Sequence, residues 1–201
     1  PEYAGFLEDG MFLKGLGNQL LEAVGGRAVH PINVAVGGFH RSPDVAVIRA
    51  LLPDLERGLE AAHRSLAVVS RFAFPAAPPP QRRLSLVADH EYPMNHGELA
   101  ISGGAEPVRV PIAAFPAYSR EFQVRQSTAL HSRLIADDSP YLCGPLARLS
   151  HNLTQLPDGA RRAAEGSGID WPTASMHQSI IARGIEVLAA IEDAIAIVRD
   201  Y

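Results

Sequence analysis

Two glycine pairs and a proline crowd one short stretch of the chain. Gly25-Gly26-Arg27-Ala28-Val29-His30-Pro31 is followed, after five more residues, by Gly37-Gly38. Ahead of it, Phe12, Leu13, Leu16, Leu20, Leu21 and Val24 fall at helical spacing, and the first glycine pair supplies the positive-φ residue on which helices commonly end. A helix is therefore predicted to stop at Gly25-Gly26 and hand over to extended chain. Pro31 disfavours the α region for the residue before it, so His30 is expected in β or polyproline geometry. Ile32, Val34 and Val36 then alternate with Asn33 and Ala35 in strand fashion. Gly37-Gly38 would allow another backbone or a cofactor to approach closely. A plain turn built from glycine and proline is the simpler reading of the same residues.

The rest of the chain predicts a mainly helical α+β unit. Residues 1–24 give one helix, expected to start after Glu8-Asp9-Gly10. At Ser42-Pro43-Asp44 a second helix starts, with Ser42 as cap, Pro43 in the first position and Asp44 favourable to the dipole. Its apolar positions run from Val47 to Val69, and Pro53 inside the pattern predicts a kink or two consecutive helices. Ala76-Ala77-Pro78-Pro79-Pro80 reads as a stiff connector.

Between Arg83 and Arg125 alternation replaces helical spacing. Leu84 with Leu86, Leu99 to Ile101, Val108 with Val110 and Phe122 with Val124 read as four short strands broken by glycines and prolines. Gly144-Pro145 then opens a short helix through Leu149, Asp158 to Gly166 is a weaker one, and Thr173 or Ser175 caps a long final helix. That helix is apolar on more than one face, which predicts deep burial. The expected architecture is one unit with long buried helices and a small antiparallel β insertion: 1–74 helical, 83–125 β-containing, 141–201 helical.

Composition excludes several classes of function. A net charge of -4 argues against a nucleic-acid surface. No apolar run approaches the roughly eighteen residues of a membrane span. One cysteine, Cys143, rules out an internal disulfide framework and fits a reducing compartment. His90 and His96 flank Glu91, but Pro93 breaks the helix that a His-Glu-x-x-His zinc site requires. His40, His63, His131, His151 and His177 have no partner at ligand spacing and read as surface or satisfied core residues. Neither a Gly-x-Ser-x-Gly elbow nor a complete dinucleotide fingerprint occurs.

Two stretches carry a resemblance. GGRAVHPINVAVGG resembles the GG-[KR]-x-x-H-x6-GG signature of nickel-iron hydrogenase large subunits, in the GRxxHP form of the cytoplasmic, cofactor-linked groups, with Arg27, His30, Gly37 and Gly38 on motif positions. Further on, Gly144-Pro145-Leu146-Ala147-Arg148 resembles a second large-subunit segment, in the expected order. By physics alone that segment is a helix start with a salt-bridged arginine. Tyr3-Ala4-Gly5-Phe6, His90-Glu91-Tyr92, Ser127-Thr128-Ala129, Asn152 and Ile181 to Glu186 look like further counterparts.

The resemblance implies an oxidoreductase subunit, cleaving dihydrogen at a nickel-iron centre and passing electrons to the iron-sulfur clusters of a small subunit and on to further electron-transfer subunits. The centre is held in the family by four thiolates from RxCGxC and DPCxxC, soft ligands that suit these metals. This chain has neither pair, and it lacks the family's Pro-Arg-Gly segment. The resemblance therefore implies a central portion of a large subunit, inactive by itself, with no metal of its own. On the family's pattern His30, with Arg27 beside it, would lie near the proximal iron-sulfur cluster and tune it from outside its ligands. Gly25, Gly26, Pro31, Gly37, Gly38, Gly144, Pro145 and Arg148 would be scaffold. Cys143 stands where those subunits carry a small apolar residue and reads as packing. Both termini lie against apolar helices, so a piece of a longer polypeptide is expected, one that self-associates through uncovered apolar surface. The other readings are a metal-free structural or electron-transfer relative, as in quinone-reductase complexes, and a stand-alone protein-binding module.

Overall fold

The computed structural model describes residues 3–75, 82–104, 106–173 and 175–201. In chain order its elements are α1 (Ala4–Gly25), β1 (Val34–Ala35), β2 (Gly38–Phe39), α2 (Val45–Ala50), α3 (Leu52–Val69), β3 (Arg83–Val87), β4 (Glu98–Ser102), β5 (Val108–Val110), β6 (Ser119–Gln123), β7 (Leu130–Leu134), α4 (Pro145–Asn152), α5 (Asp158–Glu165) and α6 (Ser179–Asp200). This is the α+β, mainly helical class expected from the sequence. The chain divides into two compact units, Pro1–Phe72 with Gly184–Tyr201, and Ala73–Arg183. The connector expected at Ala76 to Pro80 lies outside the described residues.

In the first unit α1 packs along α3. Asp9 on α1 accepts two hydrogen bonds from the Arg64 guanidinium, Nε to Oδ2 at 2.9 Å and Nη2 to Oδ1 at 2.7 Å, and Arg57 lies 4.0 Å over the Phe12 ring. Gly58 has a packing reason: a Cβ there would stand 2.5 Å from Leu16 Cδ2. Leu16, Leu55, Ala62, Leu66, Ile185, Leu188 and Ile195 are among the buried apolar residues of this unit.

These contacts bear on where α1 begins. It starts at Ala4, ahead of the expected point after Gly10, and the added turns carry Asp9 to the Arg64 guanidinium on α3. The next boundary also differs. Asp44, not Ser42, is the cap of α2, its extended backbone letting the carboxylate accept from the Ala46 amide at 2.8 Å. Pro53 resolves the expected kink into two helices, α2 and α3, with the proline in the first turn of α3.

In the second unit β3, β4 and β5 form an antiparallel sheet in that order, and β6 pairs with β7. The strands form, but alternation sets the buried face only in part. Leu84, Ile101 and Val110 form one apolar cluster with Leu134, on which Leu99, Phe115 and Tyr141 pack. Leu86, however, is half-buried between buried Ser85 and Val87, Val108 is exposed, and Val124 falls beyond the end of β6 at Gln123. Strand β7 carries no apolar alternation to mark it, because Leu130-His131-Ser132-Arg133-Leu134 has a polar residue at its centre. Asp137 and Asp138, just beyond it, pair with Arg82 and with Arg120 and Arg133 respectively.

The long final helix starts at Ser179, preceded by a 3-10 turn at Met176–Gln178. Thr173 organises that turn, its hydroxyl accepting from the Ser175 amide at 3.1 Å and donating to the Gln178 side chain. Ile181, Ile185, Leu188 and Ile195 are buried along α6, but Ile180, Val187 and Ile197 are exposed. One stripe of the helix is therefore covered, and the second apolar side expected to be buried is open.

Candidate functional site

The glycine-bracketed stretch forms an exposed loop built against the end of α1. Gly26, at φ 84°, ends the helix, and its amide donates to the Glu22 carbonyl at 3.0 Å. The chain then leaves the helix and returns to it. The amides of Ile32 and Asn33 both donate to the Gly25 carbonyl, at 2.9 and 3.0 Å. Pro31 comes so close that a Cβ on the buried Gly25 would stand 2.6 Å from Pro31 Cβ. This close approach explains the first glycine of the motif, and positive φ explains the second.

Between these anchors, Arg27 folds its side chain back so that Nε donates to the His30 carbonyl at 2.5 Å. His30 has φ 52° and is exposed. This corrects the expected β or polyproline geometry. Pro31 still disfavours the right-handed region, but the short span between Gly26 and Pro31, together with the Arg27 bond, places His30 in the left-handed one. Non-glycine residues held there carry roughly 1–3 kcal/mol of strain.

The run read as a strand through Ile32, Val34 and Val36 is a hairpin. Val34 pairs with Phe39 and Ala35 with Gly38. Gly37, at φ 82°, supplies the positive-φ position of the two-residue turn at Val36-Gly37. Among the described residues nothing beyond the chain neighbours lies within 4 Å of a Cβ placed on Gly37 or Gly38, so turn conformation is the structural reason for Gly37.

Asn33 is the residue that sequence reading passed over. Its side-chain Nδ2 donates to the Val24 carbonyl at 2.9 Å and to the Arg41 carbonyl at 2.8 Å, and its Oδ1 accepts from the Arg41 amide at 2.9 Å. Its backbone carbonyl also accepts from the His40 amide at 2.8 Å. One side chain thus ties the end of α1 to both ends of the hairpin. Beside it lies a cleft of about 340 Å³ lined by Gly26, Ile32, Asn33, His40, Arg41 and Asp44, among others. From Ala23 to Pro43 the sequence has no carboxylate. The loop therefore offers cationic groups with exposed Val29, Ile32, Val34, Val36 and Phe39.

The second motif, in the other unit, is built differently. Gly144 at φ 85° turns the chain into α4, with Pro145 as its first residue. Leu146, Ala147, Leu149 and Asn152 are buried. The Arg148 amide donates to the Gly144 carbonyl at 2.9 Å, and the Arg148 carbonyl accepts from Asn152 Nδ2 at 2.9 Å, which also donates to the Leu86 carbonyl at 2.9 Å. This motif locks α4 onto β3.

His151 takes part in the same contact. Its Nδ1 lies 2.7 Å from Ser85 Oγ and its Nε2 2.7 Å from Ser102 Oγ. Burial, and then the nearby Arg83 charge, push its pKa below the usual value, which favours the neutral ring. A serine beside an imidazole has the spacing of a nucleophile and its base. Ser85, however, is buried in the sheet face beneath α4, so the arrangement is a satisfied core histidine.

Among the described residues no group of three or more His, Cys, Asp or Glu is placed to hold a metal ion. The chain has one cysteine, Cys143, which is exposed and so is not the packing residue expected from the resemblance. Partial desolvation of its thiol raises its pKa, an effect that the charge of Arg148 opposes. A nickel-iron centre held by four thiolates does not fit this donor set. Among the described residues no helix is long and apolar enough to cross a membrane.

Comparison with known proteins places these motifs in context. No family model matches the chain. Sulfhydrogenase 1 subunit alpha of Pyrococcus furiosus is 24% identical over 205 residues, covering 96% of this chain and 45% of the relative. Sulfhydrogenase 2 subunit alpha of the same organism is 40% identical over 43 residues, 21% of this chain and 10% of the relative. A crystal structure of an NAD+-reducing nickel-iron hydrogenase in the H2-reduced state superposes with a TM-score of 0.82 at 21% identity, covering 97% of this chain and 47% of that one. The chain thus spans about half the length of the relatives that it matches end to end. In sequence it is like a hydrogenase alpha subunit, in fold like part of a nickel-iron hydrogenase, and it is to that extent hydrogenase large-subunit-like.

Proposed function

We propose that this chain is a central portion of the large subunit of a cytoplasmic nickel-iron hydrogenase, an enzyme of reversible dihydrogen oxidation. The observation that carries the reading is the sequence similarity to a sulfhydrogenase alpha subunit over 96% of the chain. The ordered motifs Gly25 to Gly38 and Gly144 to Arg148 lie within it. The chain contributes no thiolate set for the metal centre, so by itself it is inactive, and its part is to build scaffold and interface. His30 faces the iron-sulfur small subunit, through which electrons pass to further electron-transfer subunits, and Arg27 and Arg148 act as scaffold or interface cations, not as acid-base groups. Support for a docking role comes from the loop itself, which is tied down by backbone bonds yet leaves its apolar and cationic side chains exposed.

A second reading is a metal-free relative with a structural or electron-transfer role, favoured by the presence of a single cysteine. The gene on both sides of this segment separates the two: flanking RxCGxC and DPCxxC support the hydrogenase, and their absence supports the metal-free relative. Purification with a candidate iron-sulfur subunit tests the interface, and the expected result is a complex that Val36→Asp weakens. Stoichiometric nickel in the chain alone, or hydrogen uptake without added subunits, would overturn the proposal.

A further inference from the structure

We infer that Arg27 is a positioning residue for His30: its guanidinium holds the His30 carbonyl and so keeps this residue in the left-handed conformation from which its ring projects. Two anchors bound this segment. Gly26 is fixed by the helix-ending bond to Glu22, and the chain from Pro31 onward is fixed by the contact of Pro31 with Gly25 and by the two amides on the Gly25 carbonyl. Residues 27–30 must bridge these points, and His30 is the one non-glycine residue described in this bridge with positive φ.

Such a conformation relaxes unless something holds it. The bond from Arg27 Nε to the His30 carbonyl, made on the exposed side of the loop, restrains the plane of the His30-Pro31 peptide. A guanidinium suits this task because it is always charged and carries its donors in a rigid plane, and a hydrogen bond from a charged donor is stronger than a neutral one. Arg27 therefore acts on any partner of His30 indirectly, by setting the geometry from which the imidazole is presented.

The functional half of this inference rests on the proposed hydrogenase reading, and the test separates the two. In the isotopically labelled chain, Arg27→Ala is expected to lower the left-handed population at His30 by about tenfold, read from its amide-to-Hα coupling and carbon shifts. The bonds made by Asn33 stay in place, seen as unchanged amide shifts at Arg41. Arg27→Lys, which can still donate to the carbonyl, restores the left-handed signature in part. A His30 that stays left-handed in Arg27→Ala would overturn the inference, because the anchors alone would then fix it.

In a complex with an iron-sulfur subunit, Arg27→Ala is expected to shift the potential of the nearest cluster in the direction that His30→Ala shifts it, with no further shift in the double variant. A potential that moves with His30→Ala but not with Arg27→Ala would also overturn it. Failure to form any complex counts against the proposed function, and the spectroscopic result on the chain still decides the role of Arg27.

Discussion

The two glycine-led motifs use the same residue types for opposite purposes. At Gly144-Pro145 the glycine turns the chain and the proline starts a helix, after which Leu146, Ala147 and Leu149 disappear into the second unit. At Gly25-Gly26 the glycines end a helix, and the side chains that follow stay outside. The first arrangement gains its stability from apolar burial, the second from hydrogen bonds between backbone groups and the Asn33 amide. A motif that buries its side chains is satisfied by the fold. One that ties its backbone down while leaving Arg27, His30 and Val36 exposed is what the proposed docking role requires.

This contrast is open to direct attack, beginning with the largest effect. Leu149 is fully buried, so Leu149→Ala is expected to cost about 3 kcal/mol in urea denaturation followed in the second unit, with amide shifts of residues 25–41 unchanged. Loss of the loop signals in that variant would break the distinction. Gly25→Ala pushes a methyl into Pro31 and is expected to cost about 2 kcal/mol, displacing the loop from α1. Asn33→Ala follows at about 1–2 kcal/mol, because it removes the bonds to Val24 and Arg41 and unfastens the hairpin without touching the core.

A pH titration addresses the buried motif alone. The folded pKa of His151 lies below its ordinary 6.5, so the neutral ring contributes stability that is complete above that value. That stability is lost as pH falls from about 6.5 through the lower folded pKa. His151→Gln is expected to flatten this slope in denaturation curves taken across the window. The smallest effect belongs to Val36→Ser: the side chain is fully exposed, so stability should change by less than about 0.5 kcal/mol, while affinity for a docking partner falls.

The amino-acid pattern disclosed more of the buried motif than of the exposed one. The turn into α4 and the strands β3 to β5 follow from local steric rules and apolar periodicity, as does the break at Pro53 in the other unit. At the other site the helix end was plain in Gly25-Gly26, but Ile32, Val34 and Val36 suggested a straight strand where Val36-Gly37 turns. Nothing in the alternation marks that turn except Gly37. The left-handed His30 arises from anchors on both sides of it, and the rule about residues before proline does not contain them. Asn33 escaped notice because its partners are backbone groups of Val24 and Arg41, nine and eight residues away, brought to it only by folding.

The bonds made by Asn33 also bear on how the loop opens. Its amide and those of Ile32, His40 and Arg41 are all hydrogen-bonded within an exposed segment. In hydrogen exchange such a segment behaves as an outgrowth of α1, not as a floppy connection. These four amides should exchange together, at the rate at which the last turn of α1 frays. Asn33→Ala should speed exchange first at Arg41, whose acceptor it removes, while the amides on the Gly25 carbonyl and the middle of the helix stay protected.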